Sequence, residues 1–507
     1  MEKFDEILPH DRFNDELLRN VHPPDWVNPE PAKLYNLVVL GGGTAGLIAA
    51  TEAAALGAKV ALVERYLIGG DCLNLGCIPS KTIISSSRVS EEVKEAAGHG
   101  VKVLCGAEAD FGAVMERMRR LRAKISRHDS VSRFRDMGID VFLGEGSFTG
   151  PDSVKVSGKA LRFKKAVIAT GARPFHPPVE GLADVKYLTS DTVFSLSKRP
   201  SRMAVLGGGS SGCELAQAFQ RLGTQVTLFH NKARLMDRED PEASSILQEV
   251  LSREGVRIVL GDWILKRVEV TDTAKVLHIE RGGKNDNIPV DAIFVAAGRS
   301  PNVESLGLDD AGVAYNSRSG VHVDNFLRTS NRRIYAAGDV CLKLRFNHTA
   351  EAAAKIAVHN ALLMNRKRFD LLTIPWCTFT DPEVAHVGIY GHEAPPRGID
   401  VETLTEPLEN VDRAVLEGED EGFVKVHIRK ESGEVLGATI VSKHAGEMIG
   451  ILTLAMTAGI GLLQLSHLIH PYPTRSEALG HIADRFSHRL KQSKKETVAK
   501  TLASGRR

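Results

Sequence analysis

The sequence of 507 residues is long enough for about three or four domains, and its 43% hydrophobic and 25% charged residues are typical of a globular protein. The formal net charge of +2 provides no overall attraction to nucleic acid or to an anionic membrane, so we expect neither as a partner. Six cysteines are too few for a secreted disulfide scaffold, and they predict a reducing, cytoplasmic location.

Residues 1–34 are polar and contain several prolines, and we expect them to form an extension that leads into the first domain. A strand–turn–helix–strand unit is predicted next, with strands at 37–40 and 59–64, a GGGTAG turn at 41–46 and a helix at 47–56. A G-x-G-x-x-G turn in this order indicates a dinucleotide-binding unit.

Four residues of this unit are predicted to hold the cofactor. Gly41 allows a tight turn, Gly43 lets the backbone approach a pyrophosphate, and Gly46 lets the helix pack closely on the strand. Glu64 ends the second strand, where its carboxylate is placed to accept hydrogen bonds from a ribose 2′-hydroxyl. The alternative for Glu64 is a surface acid at the end of a strand.

Two cysteines stand five residues apart in the run GGDCLNLGCIPSK at 69–81. On an ideal helix the Cα atoms of Cys72 and Cys77 would be roughly 8–9 Å apart, whereas a disulfide needs about 4.4–6.8 Å. A bond therefore requires a distorted turn, which Gly76 would permit. Because a distorted and accessible disulfide is easily reduced, we predict a redox-active pair held against a flavin; a zinc site and two unrelated thiols are the alternatives.

The strand–turn–helix–strand unit then repeats, with strands at 203–206 and 225–229, a GGGSSG turn at 207–212 and a helix at 213–222. Two complete units predict two separate dinucleotide sites. The run FHNKAR at 229–234 has no acid, and its basic residues would attract a 2′-phosphate, so NADPH is favoured over NADH. The alternative is a plain polar loop. The residues predicted to bind this second cofactor are Gly207, Gly209, Gly212, His230, Lys232 and Arg234.

Two similar segments, VIATGARP at 167–174 and FVAAGRSPN at 294–302, are each predicted to close one nucleotide-binding unit and to mark a crossing between domains. A further strand, IYAAGD at 334–339, ends in Gly-Asp. These strand ends supply further predicted cofactor-binding residues: Thr170, Gly171, Gly298, Gly338 and Asp339. Asp339 is predicted to hydrogen-bond the ribityl chain or a phosphate of the flavin, with a turn aspartate as the alternative.

Other side chains are predicted to support the cysteine pair or the fold. Lys81 lies one helical turn beyond Cys77, and Glu214 opens the helix after the second glycine turn. An ion pair between Lys81 and Glu214 beside the flavin would tune the flavin and a thiolate. The remaining cysteines have no partner spacing and are expected to be buried structural thiols: Cys105, Cys213, Cys341 and Cys377.

From about residue 372 the pattern changes to short alternating strands, at 422–428 and 435–441, which predict an α+β domain. The apolar run at 449–465 contains glycines and threonines, and we expect a buried interface helix rather than a membrane span. The basic tail at 486–507 is expected to be a solvated helix end, with binding to an acidic surface as the minor alternative.

The cysteine motif, the two glycine turns and the late Gly-Asp strand resemble the class I pyridine nucleotide–disulfide oxidoreductases over about residues 36–485. This group contains dihydrolipoyl dehydrogenase, glutathione reductase and mercuric reductase. The resemblance implies a homodimer of α/β chains, each with Rossmann-like FAD-binding and NAD(P)-binding domains and an α+β dimerisation domain. The expected division is an N-terminal extension at 1–34, an FAD-binding domain at 35–176 and 300–371, an NAD(P)-binding domain at 177–299, a dimerisation domain at 372–485 and a basic tail at 486–507.

The resemblance also assigns roles near the reaction. It makes Cys77 the charge-transfer thiol against the flavin and Cys72 the interchange thiol that meets the substrate. Family members that reduce disulfides carry a His-Pro-Thr-x-x-Glu motif, whose His acts as acid/base across the dimer. In the matching run HPYPTRSE, Tyr472 takes the place of that His, Glu477 matches the Glu, and His470 lies two residues away. With an unperturbed pKa of about 10, tyrosine is a poor proton shuttle at neutral pH.

Within the group, the runs at 213–223 and 238–241 and the tyrosine in HPYPTRSE look most like mercuric reductases. Mercuric reductases receive the metal on a C-terminal vicinal cysteine pair, and no cysteine follows Cys377 in this sequence. A soft metal ion would instead reach Cys72 and Cys77 directly, as transient ligands.

Three functional hypotheses result. In the first, hydride passes from NADPH to FAD and electrons continue through the Cys72–Cys77 disulfide to a metal ion or another small oxidant. The second is a dihydrolipoyl dehydrogenase-like disulfide reductase with a substituted acid/base, which predicts a preference for NAD and docking to an acyltransferase core. The third is a flavoprotein with slow turnover whose redox state regulates a partner.

Overall fold

The computed structural model describes residues 7–104, 108–364 and 366–504. The chain forms two compact units, of which the first comprises Met1–Gly208, Ala218–Asn231 and Asp262–Leu371, and the second comprises Gly209–Gln217, Lys232–Gly261 and Leu372–Arg507.

The helices are α1 (Arg12–Val21), α2 (Thr44–Ala55), α3 (Gly70–Asn74), α4 (Cys77–Glu95), α5 (Phe111–Ser126), α6 (Val131–Asp136), α7 (Ser210–Arg221), α8 (Pro241–Arg253), α9 (Asn347–Leu362), α10 (Asp412–Leu416), α11 (Ala445–Ala458), α12 (Leu462–Leu465) and α13 (Glu477–Ser504). Short 3₁₀ turns lie at Ala96–His99, Arg127–Asp129, Val193–Ser195, Gly391–Glu393, Pro395–Arg397 and Leu408–Asn410.

The strands are β1 (Tyr35–Leu40), β2 (Val60–Glu64), β3 (Asp140–Leu143), β4 (Gly146–Gly150), β5 (Ser153–Val156), β6 (Lys159–Ile168), β7 (Ala172–Pro174), β8 (Arg202–Leu206), β9 (Gln225–His230), β10 (Arg257–Leu260), β11 (Trp263–Val270), β12 (Lys275–Arg281), β13 (Lys284–Val290), β14 (Ala292–Val295), β15 (Arg299–Pro301), β16 (Tyr315–Asn316), β17 (Gly320–Val321), β18 (Ile334–Ala336), β19 (Pro375–Thr378), β20 (Glu383–Gly388), β21 (Val401–Pro407), β22 (Phe423–Arg429) and β23 (Val435–Ser442).

The main sheet of the first unit has the strand order β3-β2-β1-β6-β5-β4. Strands β3, β2, β1 and β6 are parallel, β18 adds a parallel strand to the C-terminal half of β6, and β5 and β4 continue antiparallel from its N-terminal half. Side chains of β1 alternate between two buried clusters, with Leu37 and Val39 in one and Val38 and Leu40 in the other. Burial on both faces explains why β1 reads as a continuous apolar run. The predicted strand–turn–helix–strand unit is therefore confirmed as β1, α2 and β2.

The second predicted unit is confirmed as β8, α7 and β9, with β14 adding a parallel strand beside β8. Strands β11, β12 and β13 form a separate antiparallel meander. The two similar segments found in the sequence pair with each other, because β7 and β15 run antiparallel with Arg173 opposite Ser300. The chain thus contributes two strands, β7 and β15, to one small antiparallel sheet. The predicted domain boundaries stay a prediction.

The second unit contains an antiparallel sheet in the order β19-β20-β23-β22-β21. Helix α11 packs on β20 and β23, and α13 packs on β21 and β22, so the predicted α+β arrangement is confirmed. The run at 449–465 is divided between α11 and α12 rather than forming one helix, and its burial at an interface stays a prediction. Helix α11 ends at Ala458 because Gly459 adopts φ +66°, a left-handed conformation that ends a helix, and Leu454 on α11 is 64% exposed. Among the described residues, no helix is long and apolar enough to cross a membrane.

The N-terminal segment contains a helix that sequence analysis missed. The Asp11 carboxylate accepts the N–H groups of Phe13 and Asn14 and so caps α1, while Leu17 and Val21 are fully buried in the core of the first unit. The sequence signals of this helix were the capping Asp11 and the apolar residues Leu17 and Val21, four positions apart. They lie in a segment flanked by prolines. The segment is therefore packed onto the first unit rather than merely leading into it.

We predict that Leu17→Ala lowers the thermal midpoint of the protein by several degrees. The leucine side chain is fully buried, and a cavity of this kind costs about 2–5 kcal/mol. The matched control is Val27→Ala in the same segment, where the side chain is 83% exposed and the expected change is within about 0.5 kcal/mol. Equal midpoints for the two variants, measured by differential scanning fluorimetry, would contradict the packed position of α1.

Candidate active site

The two motif cysteines lie at a break between two helices. Helix α3 ends at Asn74, two residues before Gly76, and α4 begins at Cys77. The predicted distorted turn is thus present. A Cβ placed on Gly76 would lie 2.9 Å from the backbone oxygen of Asp71, so this approach of chain to chain requires glycine.

The interrupted helix brings the two sulfurs into contact. The hydrogen bond with Cys77, followed by burial, raises the pKa of Cys72, while a hydrogen bond from Thr44 opposes the rise. Cys77 occupies the first position of α4, where the helix dipole favours negative charge. A pair of this kind loses two electrons and two protons when it closes to a disulfide, and Cys77 is the position that better supports a thiolate.

The first glycine turn is built on close backbone contacts. A Cβ on Gly41 would lie 2.2 Å from the oxygen of Ala169, and a Cβ on Gly46 would lie 1.7 Å from the oxygen of Gly41. The turn also contacts residues 66–76, which lead to the two cysteines and are here called the cysteine loop. A Cβ on Gly70 would lie 2.6 Å from the Cα of Gly43. Bare backbone on both sides leaves room for a pyrophosphate beside the dithiol, which fits an FAD cofactor.

Glu64 is bonded to the same turn. One carboxylate oxygen accepts the N–H of Gly42 and the other accepts the N–H of Tyr66, each at 2.6 Å. Burial raises the pKa of Glu64, and these two donors oppose that rise. Since a carboxylate offers about four lone-pair sites, the remaining ones are available to ribose hydroxyls, and the acid fits the predicted role.

Asp339 belongs to a charge cluster that the sequence did not reveal. The Nε of Arg299 lies 3.7 Å from the Asp339 carboxylate, and the same guanidinium hydrogen-bonds Asp71, the residue before Cys72. Burial raises the pKa of Asp339, and Arg299 opposes the rise. Within the described chain, Arg299 Nε is buried without a hydrogen-bond partner. A buried donor in this position fits a site that holds an anionic cofactor group.

The other strand-end residues lie close to these elements. Thr170 exchanges two hydrogen bonds of 2.8 Å with Asn302, and Gly171 accepts the Asn302 N–H. Gly338 meets α2, since a Cβ on it would lie 3.2 Å from the Ala45 side chain. The oxygen of Gly298 accepts the N–H of Phe175. Their contacts with a cofactor stay predictions.

The second glycine turn repeats the geometry of the first, but its second amide donates to a histidine instead of to an acid. A Cβ on Gly207 would lie 2.4 Å from the oxygen of Ala296, as Gly41 does with Ala169. The N–H of Gly208 donates to Nδ1 of His230 at 3.2 Å, the position in which Gly42 donates to Glu64. His230 therefore stands where an acid would bind a ribose.

The remaining residues predicted for this cofactor have separate contacts. The oxygen of Gly209 accepts the N–H of Cys213 in the first turn of α7, which also contains Gly212. Arg234 donates to the oxygen of Asp237 at 3.1 Å, and the oxygen of Lys232 accepts the Gly261 N–H. Cofactor binding by Gly209, Gly212, Lys232 and Arg234 stays a prediction.

The predicted pair of Lys81 and Glu214 stays a prediction, because the two side chains belong to different units. Lys81 lies on α4, and the Glu214 carboxylate accepts the N–H of Phe379 at 2.8 Å. The expectation that Glu214 opens its helix is wrong, since α7 begins four residues earlier at Ser210.

The run that matches the family acid/base motif lies at the start of α13. The Tyr472 hydroxyl is exposed and donates to Asp412 at 2.9 Å, a bond that raises the pKa of Tyr472. Burial lowers the pKa of His470, and the neighbouring Glu477 opposes this. Glu477 is the first residue of α13 and accepts the N–H of Thr474. His470 is therefore largely neutral and Tyr472 protonated at pH 7.

The other cysteines differ from one another. Cys213 is fully buried as predicted, and burial raises the pKa of its thiol. Cys341 and Cys377 are partly buried and pack against hydrophobic clusters, and burial raises the pKa of the Cys341 thiol. Cys377 Sγ lies 3.9 Å from a Glu383 oxygen. Cys105 lies outside the described residues. The described chain contains no group of three or more His, Cys, Asp or Glu placed to hold a metal ion.

A dithiol beside a glycine turn, with a second such turn in the same chain, makes this protein an oxidoreductase that uses dinucleotides. Residues 35–355 match the family described as pyridine nucleotide-disulphide oxidoreductase, and residues 374–483 match its dimerisation domain. The chain belongs to the pyridine nucleotide–disulphide oxidoreductase family, whose members are flavoproteins that use FAD and a pyridine nucleotide.

Similar proteins include enzymes with different acceptors. A mercuric reductase of Staphylococcus aureus is 36% identical over 445 residues, which is 88% of this chain and 81% of that protein. A dihydrolipoyl dehydrogenase of Geobacillus stearothermophilus is 33% identical over 444 residues, or 87% and 93% of the two chains. The solved structure of the HOCl-induced flavoprotein disulfide reductase RclA from Escherichia coli has a TM-score of 0.80 at 28% identity, covering 89% of this chain and 99% of that chain.

We predict that Gly46→Ala weakens FAD retention by about tenfold or more, because the added methyl overlaps the oxygen of Gly41 and forces the turn open. The measurement is the ratio of flavin absorbance to protein absorbance after dilution and filtration. Gly98→Ala is the control, since a Cβ there meets no described atom within 4 Å. Equal flavin content in the two variants would contradict this role of the turn.

Proposed function

We propose that this chain is an FAD-dependent NAD(P)H oxidoreductase that passes two electrons through Cys72 and Cys77 to a soft metal ion or another small acceptor. The observation that carries the proposal is the contact between the two thiols at the break between α3 and α4. Bound FAD would supply hydride chemistry between the nucleotide and the disulfide. Opening the disulfide takes up two electrons and two protons, and Hg²⁺ takes up two electrons when the pair closes again.

The two cysteines have different surroundings, which suggests a division of work between them. Cys77 lies at the N-terminus of a 19-residue helix, so negative charge on its sulfur is favoured. The raised pKa of Cys72 keeps that sulfur protonated until an acceptor displaces the proton. We assign Cys77 to the flavin side and Cys72 to the acceptor side.

The demand for protons supports a metal ion over a disulfide as the acceptor. A disulfide substrate releases two sulfur groups that need protons, which is why an acid/base beside it speeds the reaction. The hydrogen bond to Asp412 holds the proton on Tyr472, so this tyrosine is a poor base at neutral pH. Reduction of Hg²⁺ to the metal consumes no proton. The 36% identity to a mercuric reductase supports the same choice.

The first alternative is a dihydrolipoyl dehydrogenase-like enzyme in which His470 replaces the family histidine. Its support is the 33% identity to such an enzyme and a His470 whose lowered pKa leaves the imidazole neutral and able to accept a proton. The second alternative is a flavoprotein with slow turnover that regulates a partner.

The proposed nucleotide is NADPH. His230 takes the place of the acid that would bind a ribose 2′-hydroxyl. Its Nδ1 accepts a hydrogen bond from the Gly208 N–H, so a neutral ring carries its proton on Nε2, as a donor. A donor suits a 2′-phosphate, whereas a carboxylate would repel it. Lys232 and Arg234 are proposed to add positive charge.

We also propose a homodimer formed through the second unit, with the domain boundaries given by the sequence. The unit matches a dimerisation domain, and it exposes large apolar side chains that a partner subunit would cover. These side chains include Leu454, Leu463, Leu468, Ile469 and Tyr472.

We predict NADPH oxidation that depends on Hg²⁺ in the presence of excess thiol, with little or no turnover of lipoamide in a parallel assay. Cys72→Ser is expected to remove the Hg²⁺-dependent rate, since one thiol cannot close a disulfide. Cys377→Ser is the control, because Cys377 belongs to the second unit, where its Sγ contacts Thr378 and Glu383, and this variant should retain activity.

Each other outcome of this assay selects a different function. Fast lipoamide turnover would reject the metal acceptor and favour the first alternative, and His470→Gln would then remove that turnover. Slow turnover with both acceptors would favour the regulatory flavoprotein. Full activity of Cys72→Ser would reject a role for the dithiol altogether.

We predict that His230→Glu lowers the ratio of kcat/KM for NADPH to kcat/KM for NADH by about tenfold, because a carboxylate repels the 2′-phosphate and accepts from the 2′-hydroxyl. His230→Gln is the uncharged control and should change the ratio much less. A wild-type preference for NADH of about tenfold or more would contradict the proposed nucleotide.

A further inference from the structure

The N-terminal segment at residues 7–30, here called the strap, precedes the part of the chain that matches the family, which begins at residue 35. It nevertheless contacts the loop that carries the cysteines. The N–H of Ile68 donates to the oxygen of Val21 at 3.2 Å, and the His22 ring hydrogen-bonds the oxygen of Tyr66. Two backbone groups just before the cysteine motif are therefore bonded to the end of α1.

A buried arginine connects the strap to the residues between the cysteines. Arg122 on α5 donates from Nη2 to Asn14 Oδ1 on α1 and from Nη1 to the backbone oxygen of Asn74, each at 2.7 Å. Asn74 in turn donates to the oxygens of Ile68 and Gly70. Asn14, Arg122 and Asn74 are all buried, and burial lowers the pKa of Arg122 to about 10, so the guanidinium remains charged at neutral pH.

The strap is anchored at both ends, so α1 is fixed against the first unit. At one end the Asp11 carboxylate pairs with Arg119 on α5 at 2.5 Å. At the other end the Asn28 side chain both donates to and accepts from the backbone of Leu143 on β3, at 2.8 and 2.7 Å. A helix held at two points gives the cysteine loop a rigid support rather than a loose cover.

We infer that the strap is a positioning element for the redox pair, and that Asn14 and Arg122 are positioning residues that hold the Tyr66–Asn74 segment so that Cys72 faces Cys77. Two thiols at a helix break meet only if the segment before the break keeps its place, and three bonds from the strap and α5 fix that segment. The consequence for turnover rests on the proposed function of the pair, whereas the placement of Cys72 does not.

The test compares two buried arginines of α5. Arg119 and Arg122 lie one turn apart, and each binds a side chain of the strap, but only Arg122 also binds the cysteine loop. In the reduced holoenzyme, Arg122→Met is expected to speed alkylation of Cys72 by iodoacetamide at least about fivefold at pH 8 and to shift its pH profile downward. Arg119→Met removes one anchor of the strap but leaves in place the bonds of Arg122 to Asn14 and Asn74, so this variant is expected to stay within about twofold of wild type. The modified Cys72 peptide is quantified by mass spectrometry.

A purely structural role would change both arginine variants alike. Equal alkylation rates for Arg119→Met and Arg122→Met, or an unchanged rate for Arg122→Met, would overturn the inference. Arg122→Lys, which keeps the charge and one donor group toward Asn74, is expected to restore part of the wild-type profile. If the methionine variants do not fold, Asn14→Ala is compared with Asn20→Ala, since Asn20 on the same helix binds Ser126 and not Arg122.

The alkylation assay separates this inference from the proposed function. It requires only a reduced thiol and no turnover. If Cys72→Ser keeps full NADPH oxidation while Arg122→Met still differs from Arg119→Met, the proposed function fails and the positioning role stands. If Cys72 is essential and the two arginine variants behave alike, the positioning role alone fails.

Discussion

The thiols of Cys72 and Cys77 meet because a helix stops at Asn74 and a new one starts at Cys77. An unbroken helix would hold their Cα atoms roughly 8–9 Å apart, too far for a bond. The interruption depends on Gly76, whose backbone passes close to Asp71, and on Gly70, whose backbone packs on Gly43. The dinucleotide turn and the dithiol thus share one set of close backbone contacts. A substitution that shifts the backbone of one would therefore also shift the other.

The duplicated dinucleotide unit contains its own comparison. In both copies the second amide of the glycine turn donates to the residue that ends the next strand, Glu64 in one copy and His230 in the other. This backbone geometry is common to both copies, whereas the side chain that receives the hydrogen bond is a carboxylate in one and an imidazole in the other. The proposed preference for a ribose phosphate would therefore act partly through this one side chain.

The elements that could be predicted from the sequence are those with a local residue pattern. The strands, glycine turns and helices of both units follow from neighbouring residues, because burial on two faces and close backbone approach leave strong marks within about ten positions. Hydrogen-bonded side chains that are distant in sequence could not be predicted in this way. Asp71 and Arg299 are 228 residues apart, and Asn14 and Arg122 are 108 residues apart. Gly459 also misled, since the apolar run around it reads as one helix until its left-handed conformation is known.

The missed helix α1 shows a different limit. Its ten residues include four apolar ones, Phe13, Leu17, Leu18 and Val21, and charged or amide side chains fill the rest. Helices this short form mainly through tertiary packing, so their own sequence is weak evidence for them. The surface that stabilises α1 is assembled from α5 and the cysteine loop, far away in the chain.

Asn28 also bonds the edge strand of the main sheet. Strand β3 is the last strand on its side, and Asn28 occupies the N–H and the oxygen of Leu143, the groups through which a foreign strand would add to the sheet. Trp26 covers a further oxygen, that of Val141. Proteolytic loss of this stretch would leave an open edge, and exposed edges recruit strands from other chains. Asn28, an anchor of the strap, therefore also occupies the exposed edge of the sheet.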